Sequence, residues 1–405
     1  MVVEVYLKNA CDETIMTGQL IILPNEKATA AQAAVNGDEA ALIDFLKRYK
    51  HYPDVSEQFS GAGFDTGRDD TENARQIISS TDHFNNWADF EVFRHHALQA
   101  GSAIRQFEQA IDAIVVGNIE VLKQLLGQNT DLYRMRSLRK HRATLLIYLG
   151  ANGVEWHRQK TPKNAAQVVE LLLQAGAEVD AVGDMYGGTT TLGLVATSVH
   201  PVVTGVQEEL MDVLIRHGAN PNSAVAPEYT EGMLILACLA NGRDEPLEYL
   251  VKHGASLDLE GACGVGDLEK VKTYFNADGS LNDNELTLKR DKGFIWACGY
   301  GRANVVEYLL ATGVNAATEA EGMTAMHWAA MFGHLEIVKL LLAKNAPLEE
   351  KNSYGNTVLG QVLWSAYNQP KPKTQAVIET LIAAGAKVED DWRWYIDELR
   401  GKSVK

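Results

Sequence analysis

Cysteine is scarce in this chain. Its 405 residues include 4, at Cys11, Cys238, Cys263 and Cys298, too few and too scattered for a disulfide framework and without a Cys-x-x-Cys spacing for zinc or redox work. Positive charge is short as well: 37 Lys and Arg stand against 53 Asp and Glu, a net charge of −16. A protein that tracks phosphate backbones needs a basic face, so nucleic acid and anionic membrane surfaces are poor partners and a basic protein suits better. There is no uninterrupted apolar run of the roughly 18 residues that a transmembrane helix requires. The N-terminus carries Glu4 where a signal peptide carries basic residues. A soluble, cytoplasmic protein is expected. Also missing are an HExxH zinc motif, a GxSxG nucleophile elbow and a strand-borne GxGxxG, and the glycine-rich stretch from Gly183 to Thr191 lacks the Gly-Lys-Ser/Thr ending of a phosphate loop. No cofactor and no metal ligand set is expected.

What the chain does have is apolar content of 46% with 22% charged residues, enough to bury a large core. The clearest pattern within it is Met323-Thr324-Ala325-Met326-His327-Trp328-Ala329-Ala330-Met331-Phe332-Gly333-His334-Leu335-Glu336-Ile337-Val338-Lys339-Leu340-Leu341-Leu342. This reads as two short helices. Ala329 and Ala330 let the first lie close to its neighbours, Gly333 permits a tight reversal, and Ile337, Val338, Leu341 and Leu342 make the apolar stripe of the second.

The unit resembles an ankyrin repeat, whose hallmark T-P-L-H-x-A-A-x-x-G-H followed by E-I-V-x-L-L-L it matches except for Ala325 in place of Pro. Further copies run from Gly301 to the stop at Gly313, from Gly242 to Gly254, from Gly355 to Gly385, from Thr190 to Asn220 and from Thr144 to Asp180. Gly176, Gly218, Gly254 and Gly385, each followed by Ala, fit left-handed helix stops. Degenerate copies begin at Ala33, Ala113 and Ala262, the last so soon after Gly254 that the hairpin between repeats must be shortened or missing there. The resemblance implies an all-α solenoid with short β-hairpin loops: about six clear repeats and one or two degenerate ones over 106–389, degenerate at the start and near 259–282. A helical N-terminal region, 1–105, precedes the array, with a glycine- and aspartate-rich mobile loop near 60–70. It is similar to the region that precedes ankyrin repeats in some bacterial proteins. A capping helix and tail, 390–405, close the array.

Such arrays mostly bind proteins, so the resemblance implies a recognition module or scaffold rather than an enzyme. Its concave face and hairpin tips carry Asp184, Tyr186, Glu319, Glu321, Lys351 and Tyr354 as the expected partner-binding residues. His327 matches the hallmark histidine that hydrogen-bonds within and between repeats. The cysteines at 238, 263 and 298 fall in the columns of Ala329 and Ala330, where they act as small apolar residues.

An alternative small-molecule or catalytic site comes from two enlarged loops, 154–164 and 199–206. Gly333 to Val338 spans 5 positions, whereas Gly153 to Val169 spans 16. The first enlarged loop holds Glu155, His157, Arg158 and Lys160, the second His200. An acid, two imidazoles and two cations can bind an anion or transfer protons. Equivalent loops of stacked repeats share one edge, so both loops are expected on the rim opposite the hairpins, with their charged groups solvated.

Overall fold

The computed structural model describes residues 30, 33, 37–51, 53–222, 233–368 and 373–401. Cys11 and residues 34–36 of the degenerate copy that begins at Ala33 lie outside them. The chain divides into two compact units, one made of 1–234 with 241–246 and the other of 235–240 with 247–405.

The first unit opens with α1 (Glu39–Tyr49), α2 (Pro53–Phe59), α3 (Asp70–Thr81) and α4 (Trp87–Leu98). Asp38, Asp69 and Asn86 cap three of these by accepting from backbone N–H groups of the first turn. Their apolar faces meet in a core of Leu42, Phe45, Leu46, Ile77, Ile78, Phe84, Phe90 and Phe93. The stretch near 60–70 closes around Asn73, a fully buried side chain whose amide accepts from Asp65 N–H and donates to the Asp65 carbonyl.

Helix pairs follow: α5 (Ala103–Val116) with α6 (Ile119–Gln128), then α7 (Ala165–Gln174), α8 (Thr191–Thr197), α9 (Val199–Thr204) and α10 (Gln207–Arg216). Two rows result. The second helices α6, α7 and α10 pack side by side. In the other row, α5 and α8 flank a single 3₁₀ turn, Ile147–Gly150. The copy at Thr144 therefore has one turn where a first helix is expected. That turn is fully buried, and Gly150 sits against the Leu194 side chain so closely that no Cβ fits.

After α11 (Met233–Ala240) and α12 (Asp244–Lys252), the second unit repeats the pair regularly. It comprises α13 (Leu259–Val265), α14 (Leu268–Lys272), α15 (Thr287–Gly299), α16 (Ala303–Ala311), the hairpin β1 (Glu319–Ala320) and β2 (Met323–Thr324), α17 (Ala325–Met331), α18 (Leu335–Ala343), α19 (Val358–Asn368), α20 (Thr374–Ala383) and α21 (Arg393–Leu399). First helices α13, α15, α17 and α19 pack in one row and second helices α14, α16, α18 and α20 in the other. Only six residues separate α12 from α13, so the hairpin is missing there, as the spacing after Gly254 predicts.

Ala297, Cys298, Ala329 and Ala330 are fully buried between first helices, while Val306, Leu309, Val338, Leu341, Val377 and Leu381 fill the second-helix side. Cys238, Cys263 and Cys298 are free and buried, in the packing role expected of them. At the far end, α21 inserts Tyr395 and Ile396 into the core, and Trp392, Trp394 and Tyr395 surround Tyr367 of α19.

Candidate functional site

The hairpin tips are built from short-range hydrogen bonds that fix their outward residues. In the second unit Glu319 pairs with Thr324 and Ala320 with Met323, leaving Glu321 and Gly322 as a two-residue tip with φ of 55° and 72°. Two successive positive φ values suit the twist of a tight hairpin, and glycine takes the second without strain. The next tip is organised by Asn352, a buried amide whose Oδ1 accepts from Tyr354 and Asn356 N–H, both at 3.0 Å. Ser353 N–H donates to the Gly322 carbonyl at 2.9 Å, tying one tip to the next.

His327 lies beneath both tips. Its Nδ1 meets Thr324 Oγ1 at 2.8 Å within the repeat, and its Nε2 meets the Asn356 carbonyl at 3.2 Å in the next one. Burial lowers the His327 ring below the usual imidazole range. The tip of the first unit is closed by reciprocal bonds between Gly183 and Thr189, and Tyr186 OH donates to Asn152 Oδ1 at 2.8 Å.

Asp184, Glu319, Glu321 and Lys351 are exposed on these tips, together with Tyr186 at 64% and Tyr354 at 73%. Asp184 and Tyr186 belong to the first unit and the other four to the second.

The enlarged loops differ from the solvated rim expected of them. Glu155 is completely buried and Arg158 nearly so, and the two pair at 2.9 Å. Arg158 also reaches Glu108 and Asp112 of α5, each at 2.7 Å. Glu155 further receives Arg139 Nε at 2.8 Å, His141 Nε2 at 3.3 Å and the Tyr148 hydroxyl at 3.2 Å. Arg139 Nε is not aligned to hydrogen-bond, so its attraction to Glu155 is Coulombic. Arg139 in turn pairs with Glu108 at 2.8 Å, approaches Asp82 at 3.7 Å and lies 4.5 Å from the centre of the Phe93 ring.

Electrostatics follow from this crowding. Burial alone would raise the Glu155 carboxyl, but Arg139, His141 and Arg158 outweigh it and hold it well below the usual carboxylate range. For Asp82 burial prevails over the more distant Arg139, pushing the carboxyl up to about 6.

The loop also fails to stay on one rim. Because its repeat has only the 3₁₀ turn at 147–150, the loop starts on the hairpin side, where Gly153 packs against Met185 and Tyr186. It ends at the opposite edge, where Asn164 donates to the Gly117 carbonyl and Thr204 Oγ1 of the second loop donates to the Thr161 carbonyl. His157 and His200 are half-buried, each with its ring held below the usual range by burial, and Lys160 is exposed. The structure thus joins Glu155 to Arg158 and brings no hydrogen bond or ion pair between either of them and His200 among the described residues. Among those residues no cluster of metal-ligating side chains occurs.

Arg139, His141, Tyr148, Glu108, Asp112 and Asp82 were not singled out by the sequence. Their partners lie up to 57 positions away, as from Asp82 to Arg139, and follow no period. The available signal was the charged insert beside a repeat whose first helix lacks its glycine-turn spacing.

Residues 259–353 match the family model for ankyrin repeats, in three copies. That segment carries ankyrin repeats. The matched segment begins at α13, the copy whose sequence is degenerate, and runs through the hairpin tips at 321 and 353. An ankyrin repeat and KH domain-containing protein of Caenorhabditis elegans, mask-1, is 30% identical over 209 residues, which are 45% of this chain and 8% of that protein. Its namesake mask from Drosophila melanogaster is 31% identical over 135 residues, 32% of this chain and 3% of that protein. This chain therefore spans less than a tenth of the length of these relatives. The human ASB11 ankyrin repeat domain aligns over 69% of this chain and 99% of its own, at 20% identity and a TM-score of 0.36. Ankyrin repeats are a protein-interaction module. Among the described residues no helix is long and apolar enough to cross a membrane.

Proposed function

We propose that the protein is a recognition module or scaffold that binds another protein through its hairpin tips and the adjoining first-helix face. Residues 106–389 form the binding array, 1–105 the helical region before it and 390–405 its cap. The observation that carries this reading is the exposure of Tyr186 and Tyr354 on tips held from beneath by Asn152 and Asn352. Aromatic side chains with few rotamers, fixed on a stiff support, lose little entropy on binding and are common anchors of interfaces. Asp184 shares the first unit's tip with Tyr186, Glu319, Glu321 and Lys351 lie on the tips of the second unit with Tyr354, and the net charge of −16 favours a basic partner over nucleic acid. The same surplus of acid suits a cytoplasmic protein without a membrane role. The resemblance of the N-terminal helices to those of bacterial ankyrin proteins stands on the residues alone, since the relatives named above are from worm and fly.

The small-molecule or catalytic alternative at Glu155, His157, Arg158, Lys160 and His200 is weaker. Glu155 and Arg158 already satisfy each other, and a brace between α5 and the loop is the simpler role for them. Affinity capture from native cytosol with the unaltered chain and with a Tyr186→Ala/Tyr354→Ala variant tests the proposal. A specific protein retained by the first and lost from the second, at equal melting temperature, is the expected result. Equal retention by both, or capture of a metabolite that depends on Lys160 and His200, would move the site to the enlarged loops.

A further inference from the structure

Glu260 is a carboxylate with no cation of its own. It stands in the first turn of α13 at 8% exposure, and its Oε1 accepts from Trp296 Nε1 at 2.8 Å. Oε2 has no hydrogen bond, and no Lys, Arg or His lies within ion-pair distance among the described residues. The neighbouring Lys289 is committed to Asp258 at 2.9 Å, and Lys292 is exposed and outside ion-pair distance. Buried carboxylates are ordinarily paired, because removal from water without a counter-charge is costly. Burial raises the Glu260 carboxyl above its usual range, and Lys292 and Lys289 offset this only in part.

The surroundings are aromatic. Two tryptophans of the first-helix row lean towards the helix before them: Trp296 of α15 towards Glu260, and Trp328 of α17 across Gly299 of α15, where an added Cβ would meet its ring at 3.5 Å. The two half-buried rings lie 6.2 Å apart, and Phe332 stacks on Trp328 at 6.1 Å. Trp328 Nε1 is buried without an acceptor. A largely buried carboxylate without an ion-pair partner and an indole donor without an acceptor thus sit along one aromatic stripe within the second unit.

We infer that this stripe seats an extended basic segment of the protein partner, with an arginine or lysine placed against Glu260 and its stem lying on the Trp296 ring. A cation satisfies the carboxylate and gains from the indole face. Charge complementarity selects this occupant over an acidic or purely apolar one. The inference rests on the protein-binding reading and deepens it by naming the partner's chemistry.

The test uses the full chain and a labelled octa-arginine peptide at roughly physiological salt, where diffuse attraction is screened. Glu260→Gln keeps the volume and the acceptor for Trp296 but removes the charge, so it is expected to melt no lower while binding about tenfold more weakly, near 1.4 kcal/mol. The double variant Glu319→Gln/Glu321→Gln removes twice the charge from exposed positions and should lose less than about threefold. Trp296→Phe, which drops the N–H that holds Glu260, is expected to weaken the peptide as well. Binding by Glu260→Gln within about twofold of the unaltered chain, or losses that simply follow the charge removed, would overturn the inference. If the tyrosine variant loses its captured protein while Glu260→Gln binds octa-arginine normally, the inference alone fails. If octa-arginine depends on Glu260 but no captured protein depends on the tips, the tip reading fails instead.

Discussion

Glu155 and Arg158, three positions apart on one short turn, face inward together and pair at 2.9 Å almost out of reach of water. Their neighbours on the chain, Trp156 and Lys160, face outward. A charged insert thereby becomes a bolt between α5, the 3₁₀ turn and the segment around Arg139. Removing one partner from such a network leaves the others desolvated and uncompensated. Arg158→Met is expected to destabilise the first unit by about 3–5 kcal/mol in urea denaturation, and Lys160→Ala by less than about 0.5 kcal/mol. Equal, small losses in both would mean that the pair is solvated.

Two carboxyls of this network should give opposite pH signatures. Asp82 holds its proton more tightly when folded, with a value near 6 against an ordinary value near 4, so its contribution to stability falls as pH rises from about 4 to 6. Glu155 is shifted down, so its contribution is complete above its ordinary range and disappears as acid protonates it below about pH 4. Asp82→Asn should therefore gain on the order of 1–3 kcal/mol at pH 7 and little at pH 4, while retaining the acid-side loss that belongs to Glu155. Chemical denaturation across this range separates the two.

Gly293 sets two expectations against each other. In an exposed helix, alanine is better than glycine by about 1 kcal/mol. Here a Cβ would lie 2.8 Å from Cys263 Cβ and 3.2 Å from the Glu260 Cα, with little room for α13 to yield. Overpacking should win, and Gly293→Ala is expected to destabilise by about 1–3 kcal/mol. A stabilised variant would show that α13 and α15 can separate freely.

Leu341 is fully buried in α18, on the stripe that faces the second helices on either side. Leu341→Ala should cost about 2–5 kcal/mol through lost burial and the cavity left behind. A denaturation midpoint that hardly moves would mean that the stripe is not packed.

Legibility in the sequence tracked regularity. The pair around Gly333, the left-handed stops at Gly176, Gly218, Gly254 and Gly385, the tip residues and the missing hairpin after Gly254 could all be read, because each depends on residues a few positions apart. The bridging role of His327 was legible only through the resemblance to the ankyrin hallmark, since its partner Asn356 lies 29 positions away. Glu155 and Arg158 were visible as a polar cluster but not as buried groups, since their burial is decided by Arg139, Glu108 and Asp112 on other segments. The rim was misplaced because a full first helix was assumed at Thr144. Only one turn forms there, so the chain has not crossed the layer when the loop begins. Glu260 carries no signal in the sequence, and its isolation is visible only with Trp296 packed over it.

The single turn at Ile147–Gly150 also bears on the order in which the first unit assembles. A regular repeat can nucleate by itself and propagate to its neighbour, since its contacts are close in sequence. This one cannot: its supports, Asp82 and Glu108 with Arg139, and Glu108 with Arg158, close loops of some 30 to 60 residues before any burial rewards them. The turn should therefore be a late arrival in refolding. Once formed, its amides should exchange with solvent only when the whole unit opens, which makes the least regular repeat of the array a gauge of that unit's global stability.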